Sequence, residues 1–173
     1  IIPRKGVLEL QGLFEAGEGL VELELGRNHV RVRRGSVTFT SKLIDGRFPD
    51  YEAVIPIGAD KDIQVGREEL RFALQRAAIL SNEKYRGVKL EVNPNRLRIV
   101  AHNPEQEEAV EELEVTTSVS DLSVGFNVNY LMDALAALSG DEVVLSLRDA
   151  QSSCLLRKVG SDDTRHVVMP LRL

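Results

Sequence analysis

The sequence predicts an α+β fold built from repeated βαβββ units, with helices on one face of antiparallel sheets. Helix starts recur about every 60 residues, longer than a solenoid period but suited to such a unit. Short stretches of alternating apolar and polar residues follow each helix. Gly, Asn and Pro stand at the junctions between them, where turns are needed.

Pro3 suits the first turn of a helix, and Val7, Leu8, Leu10, Leu13 and Phe14 supply its apolar positions. Residues 20–25 alternate apolar residues with Glu, residues 29–33 alternate Val with basic residues, and residues 36–43 alternate around Val37 and Phe39. A loop at 45–50 and an extended stretch at 53–56 lead to the second repeat. There residues 62–65 make a short strand and residues 67–80 the best helix of the chain. Glu68 and Glu69 sit at the positive end of its dipole, and Leu70, Ala73, Leu74, Ala77 and Leu80 form its stripe. Strands follow at 87–92 and 96–101 across an Asn93-Pro94-Asn95 turn. Residues 105–115 (EQEEAVEELEV) are helix formers by propensity. Their apolar set, Ala109, Leu113 and Val115, also fits a period of two, so tertiary context must arbitrate. The third repeat has a strand at 122–126, a helix through Tyr130, Leu131, Ala134, Leu135 and Leu138 stopped by Gly140, and strands at 142–147, 153–157 and 165–169.

The chain of 173 residues is 43% hydrophobic and 28% charged, which allows a sizeable core. A net charge of −5 argues against tight nucleic-acid binding, although a local basic face can hide inside that sum. The single cysteine, Cys154, rules out an internal disulfide and points to a reducing cytoplasm. No apolar run approaches the ~20 residues of a membrane span. The first residue is not Met, and Ile1-Ile2-Pro3 reads as the end of a strand entering a helix, so a piece of a longer chain is expected.

Motifs for catalysis are missing from the sequence. His29, His102 and His166 lie apart, each in or beside a strand, and no G-x-S-x-G, H-E-x-x-H or phosphate-binding Gly pattern occurs. One cysteine without a neighbouring His pair does not make a zinc site. The run Glu105, Glu107, Glu108, Glu111, Glu112, Glu114 reads as a hard-cation site, a solvated acidic face, or a face that meets a basic partner. The expectation is no cofactor, no metal and no catalytic residue. Basic residues are more suggestive: Arg67, Arg71 and Gln75 fall at i, i+4, i+8 with Arg76 alongside, Arg4 and Lys5 open the first helix, and Lys84 and Arg86 follow the second. No aromatics interleave with them, so stacking on single strands is not indicated.

Five strings carry a specific resemblance: SKLIDGRFPDY at 41–51, AAILSNEKYRGV at 77–88, NPEQEEA at 103–109, GFNVNY at 125–130 and VVMPLRL at 167–173. In this order, and without obvious gaps along the chain, they resemble the bacterial sliding clamp, the beta subunit of DNA polymerase III. The resemblance implies a DNA-clamp fold. It implies a homodimeric ring whose three-domain subunits are each built from paired βαβββ halves, with helices lining a channel for duplex DNA. On that alignment residues 1–56 are the second half of the middle domain and residues 57–173 the C-terminal domain, and residues 105–115 become a strand.

The resemblance also assigns roles. The replicative polymerase, the clamp loader and other partners would dock short peptides on Pro49, Val54, Asn127, Tyr130, Ser153, Val167, Val168, Met169, Pro170, Leu171 and Arg172. Residues 167–173 would line an open groove beside Pro49 and Val54. Exposed Val-Val-Met-Pro-Leu agrees with such a groove, because apolar surface of this kind marks interaction sites and Met adapts to several ligands. Gln151 and Leu171 stand at rim positions where the family carries Val and Met, and the pocket's other wall, a Gly-His-Arg-Leu loop, does not occur in this sequence. Arg4, Lys5 and Arg86 match positions near DNA, and helix geometry adds Arg71 and Arg76. Weak, sequence-independent contacts from such residues suit a sliding ring. Ile79 and Leu80, with Glu105, Gln106, Glu107, Glu108 and Glu111, would meet the neighbouring subunit. Residues 1–56 alone would expose a sheet edge and favour a non-native homodimer. Two alternatives remain: a structural dimerisation module without a peptide site, and an α+β enzyme using His102 or the glutamates.

Overall fold

The computed structural model describes residues 1–14 and 19–172. The chain forms two compact units, Ile1–Asp50 and Tyr51–Leu173, and the mixture of antiparallel sheets with few helices is the α+β architecture expected.

In the first unit, helix α1 (Arg4–Leu13) accompanies a sheet of β1 (Glu22–Leu25), β2 (His29–Arg34) and β3 (Val37–Lys42), ordered β1-β2-β3. Alternation along β2 buries Val30 and Val32 and turns Arg31 and Arg33 outward toward Glu24 and Glu22. Gly6 lets α1 approach the sheet: a Cβ there would lie 3.0 Å from Ser41 Oγ. This core is thin. Leu20 is 97% exposed and Leu25 68%, while Val7, Leu8 and Leu13 stay about half exposed on the helix.

The second unit opens with a one-turn helix, α2 (Tyr51–Val54), where sequence alternation suggested an extended run. Ile55 N–H donates to Tyr51 O at 3.2 Å, and Pro56 stops the turn because the residue before a proline is pushed out of helical geometry. Two repeats follow. The first is β4 (Lys61–Gly66), α3 (Arg67–Ala77) with a 3₁₀ turn (Ala78–Leu80), β5 (Gly87–Asn93), β6 (Arg96–His102) and β7 (Glu108–Glu114). The second is β8 (Leu122–Asn127), α4 (Val128–Ala137), β9 (Glu142–Leu147), β10 (Cys154–Lys158) and β11 (Arg165–Val168).

The repeats exchange strands. The sheets run β11-β10-β9-β4 and β7-β6-β5-β8, so the first strand of each repeat pairs inside the other's sheet. Each repeat then returns to its own first strand. Thr116 pairs with Gln64 of β4, and Leu171 pairs with Gly125 of β8, the fourth residue of the strand in both cases. The α3 and α4 stripes, Leu70, Leu74, Leu131 and Leu135, meet β-sheet residues such as Ile63, Leu90, Ile99, Phe126 and Leu145 in one continuous core.

Within residues 105–115, Glu108–Glu114 form a strand, and residues 105–107 lie in the turn before it. β7 pairs with β6 from Glu108↔His102 to Glu114↔Arg96, which satisfies the backbone more fully than an isolated acidic helix could. Ala109, Glu111 and Leu113 share the more buried face. At the end of α4 the stop is Leu138, already extended, and Gly140 (φ +94°) makes the turn two residues later, where a Cβ would meet Lys158 Cε at 3.0 Å.

One polar tie joins the repeats at their helix ends. Arg67 Nε donates to Gly140 O at 2.8 Å and Nη1 to Leu135 O at 3.3 Å, so the first residue of α3 satisfies one carbonyl in the last turn of α4 and one just beyond it. Its side chain is 23% exposed. Arg67→Ala leaves those carbonyls without a partner and is expected to cost about 1.5–3 kcal/mol in urea unfolding. Arg71→Ala, which breaks an exposed pair with Glu68 and a contact with the half-exposed Phe72 ring, is expected to leave the urea midpoint nearly unchanged.

Candidate functional site

The C-terminal segment is fixed at both ends. β11 lies at the sheet edge, with Val167 opposite Leu155 and Val168 opposite Cys154. Two residues after Met169 the chain reaches the other sheet, where Leu171 N–H donates to Gly125 O at 2.8 Å. Pro170 lies between, without an N–H to extend either ladder. Met169 is therefore held on the surface, 63% exposed, while Val168 is 5% exposed and packs into the core beneath it. Val167, Pro170 and Leu171 are half-buried and Arg172 is exposed. Leu173 lies outside the described residues.

The wall beside this segment comes from α2 and the β9–β10 corner. Ser153 Oγ donates to Val54 O at 3.2 Å. Continuing the β10–β11 register by one residue sets Ser153 opposite Met169. Val54 is 43% exposed and borders a groove of about 290 Å³ with Ile57, Gln151 and Ser153. α4 packs against β11. At its start Asn127 Oδ1 caps Asn129 N–H at 2.9 Å and Asn127 Nδ2 donates to Tyr85 O at 3.1 Å, while Tyr130 is 60% exposed one turn on. The second unit thus places Val54, Ser153, Met169 and Leu171 on connected elements, with Asn127 at the end of β8 capping α4 and Tyr130 on α4. Pro49 belongs to the first unit.

On the other side of the C-terminal segment, Leu171 and Arg172 border a larger groove of about 550 Å³ with Tyr85, Lys89, Val100 and His102. Sequence reasoning did not find it, because Tyr85 and Val100 lie on separate elements. Nor did it single out Asp149, although an Asp two and three residues before Gln151 and Ser152 is a turn signature.

The basic residues divide. Arg4 and Lys5 are exposed on the first turn of α1. Arg71 bonds Glu68 at 2.8 Å and lies 4.6 Å from the Phe72 ring. Arg76 makes a two-pronged contact with Glu111 at 2.6 and 2.9 Å. Arg86 adopts φ +49°, and its Nη1 donates to Ala78 O at 3.4 Å. Three of the five candidate cations are thus engaged within the chain.

Ile79 is 77% exposed and Leu80 half-buried on the 3₁₀ turn. Glu105, Gln106, Glu107 and Glu108 are exposed; Glu107 is tied to Asn103, and Glu108 lies 3.7 Å from His102. The Cys154 thiol is buried, which pushes its pKa up and keeps it protonated. Among the described residues no three His, Cys, Asp or Glu side chains converge to hold a metal, and no helix is long and apolar enough to cross a membrane.

Comparison with known proteins decides the family. The model for the DNA polymerase III beta subunit, C-terminal domain, matches residues 52–172, and the model for its central domain matches residues 1–50. The chain belongs to the DNA polymerase III beta-subunit family. It is 53% identical over all 173 residues to a beta sliding clamp of Pseudomonas putida and 48% identical to that of Escherichia coli K12. In each case it spans 47% of the relative's length, about half. A Pseudomonas aeruginosa sliding clamp crystallised with a ligand superposes with a TM-score of 0.93 at 49% identity, covering 99% of this chain and 47% of that one. A Bartonella birtlesii clamp bound to griselimycin gives 0.93 at 42%, covering 100% and 47%.

In this beta-subunit chain the Arg76–Glu111 contact ties α3 to the edge strand β7. The Arg76 guanidinium holds the Glu111 carboxyl below its ordinary value of 4.5. A depressed carboxylate pKa adds stability that is present above the ordinary value and lost as pH falls through the folded one. Arg76→Ala is therefore expected to lower the urea midpoint at pH 7, and the difference from the parent chain should shrink below about pH 4.

Proposed function

We propose that this chain is part of a processivity factor, a subunit of a ring that encircles duplex DNA and holds the replicative polymerase and the clamp loader through a peptide-binding groove at its C-terminus. Residues 1–56 act as the second half of the middle domain and residues 57–173 as the C-terminal domain. The protein performs no catalysis and works in the cytoplasm. The observation that carries the reading is Met169, held 63% exposed between a β11 anchor and the Leu171–Gly125 bond, where the extended β10–β11 register sets it opposite Ser153, which in turn bonds Val54 O. Exposed apolar groups on a rigid rim suit capture of Leu and Phe side chains from an extended peptide. Val168 acts from below as core support.

Duplex DNA is held loosely. Arg4 and Lys5 are open to phosphate, while the Arg71 and Arg76 charges are already shared with carboxylates, so contacts are few and salt-sensitive. Ile79, Val110 and the glutamates flanking them form the surface for the neighbouring subunit, apolar at its centre and acidic around it. Other proteins bearing the same docking peptide share the groove.

The exposed β1 edge supports a second reading, a dimerisation module. Leu23 and Leu25 are 54% and 68% exposed on an edge strand with only one neighbour. Chains of residues 1–173 are expected to self-associate at high micromolar concentration in sedimentation, and a monodisperse monomer contradicts this.

Titration of a labelled Gln-Leu-x-Leu-Phe peptide tests the principal reading. Binding that Met169→Ala weakens about tenfold, or ~1.4 kcal/mol, is the expected result. Self-association with no peptide binding favours the dimerisation module.

A further inference from the structure

We propose that Asp149 is a positioning residue for the peptide groove: its carboxylate sets the path of the β9–β10 corner, and the corner sets the place of Val54. The inference rests on the docking reading above and extends it to a residue that none of its assignments include.

The corner hangs between two buried anchors, Leu147 at the end of β9 and Cys154 at the start of β10, both fully buried. Between them one side chain gathers the backbone. Asp149 Oδ1 accepts from Gln151 N–H at 2.9 Å, from Ser152 N–H at 2.8 Å and from Ser152 Oγ at 2.8 Å, while Oδ2 accepts from Arg148 Nε at 2.9 Å. The next residue, Ser153, donates its hydroxyl to Val54 O at 3.2 Å. Two hydrogen-bonded links, Asp149 to Ser152 and Ser153 to Val54, are thus joined by the Ser152–Ser153 peptide and connect Asp149 to α2. The carboxyl is held well below the usual carboxylate range by the Ser152 hydroxyl, the Gln151 amide and Arg148, so the acceptor stays ionised at any pH at which the protein works.

A plain loop cap would explain the bonds at Asp149 but not their consequence. The groove of about 290 Å³ has α2 and the residues after it on one side and this corner on the other. Val54 is 43% and Ile57 85% exposed there, apolar groups left open beside a rigidly organised polar wall. Displacing such a wall by an ångström spoils the fit to an apolar side chain while leaving the core intact.

The experiment compares Asp149→Ala, Asp149→Asn and Met169→Ala in the chain of residues 1–173, by peptide titration and by amide resonances without peptide. Asp149→Ala is expected to weaken the peptide at least fivefold with an unchanged thermal midpoint and to shift the Val54 and Ile57 amides. Asp149→Asn keeps the Oδ1 acceptor and should stay within twofold of the parent. Parent-like affinity in Asp149→Ala alongside a loss in Met169→Ala overturns the positioning role and leaves the docking site standing. Unmoved Val54 and Ile57 amides, or an Asn variant as weak as Ala, also overturn it. A parent chain that binds no peptide sinks the docking reading, and this inference with it.

Discussion

Strand exchange between the two repeats of the second unit is the constraint on which the rest depends. Neither repeat contains a complete sheet. β4 needs β9, and β8 needs β5, so every helix stripe is buried against residues from both halves. Pairing of this kind satisfies backbone groups at distant points of the sequence at once and makes the two halves fold as one body. The return of each repeat to its own first strand, Thr116 to Gln64 and Leu171 to Gly125, ties the two sheets at both ends.

The surface chemistry of the C-terminus follows from this internal symmetry. In the first repeat the two residues before the bridge to the first strand are Glu114, exposed, and Val115, buried. In the second repeat Met169 and Pro170 stand at the matching places before Leu171. A surface position that carries a carboxylate at its first occurrence thus carries an apolar side chain at its second. The rim keeps its geometry without a ligand because both flanks are hydrogen-bonded, which lowers the ordering cost of binding.

Much of the architecture was legible in the sequence. The spacing of helix starts and the alternation in residues 29–33 and 87–92 reflect burial periods seen in β2 and β5. Residues 105–115 were ambiguous because six glutamates favour a helix locally, while the unpaired edge of β6 and the Arg76 guanidinium favour a strand; those partners lie in other segments. The short helix at Tyr51–Val54 escaped because one turn carries too few residues for a period. The candidate site was legible only in part. Val168 looked like surface because its string is apolar and terminal, whereas its register opposite Cys154 sends it inward. Arg71 and Arg76 looked free because Glu68 and Glu111, their partners, could be identified only once their geometry was known.

Charge fits the family's work without strong phosphate binding. Carboxylates share most helix-face cations, so an acidic chain can carry a mild basic surface where Arg4 and Lys5 stand. In the proposed reading, contact with partners then falls to the apolar C-terminal rim. Amide shift mapping with the docking peptide tests that division most directly. The account predicts perturbations at Met169, Leu171, Ser153 and Val54, with the β7 edge silent. Perturbations confined to β7, or to the groove lined by Tyr85 and His102, would contradict it.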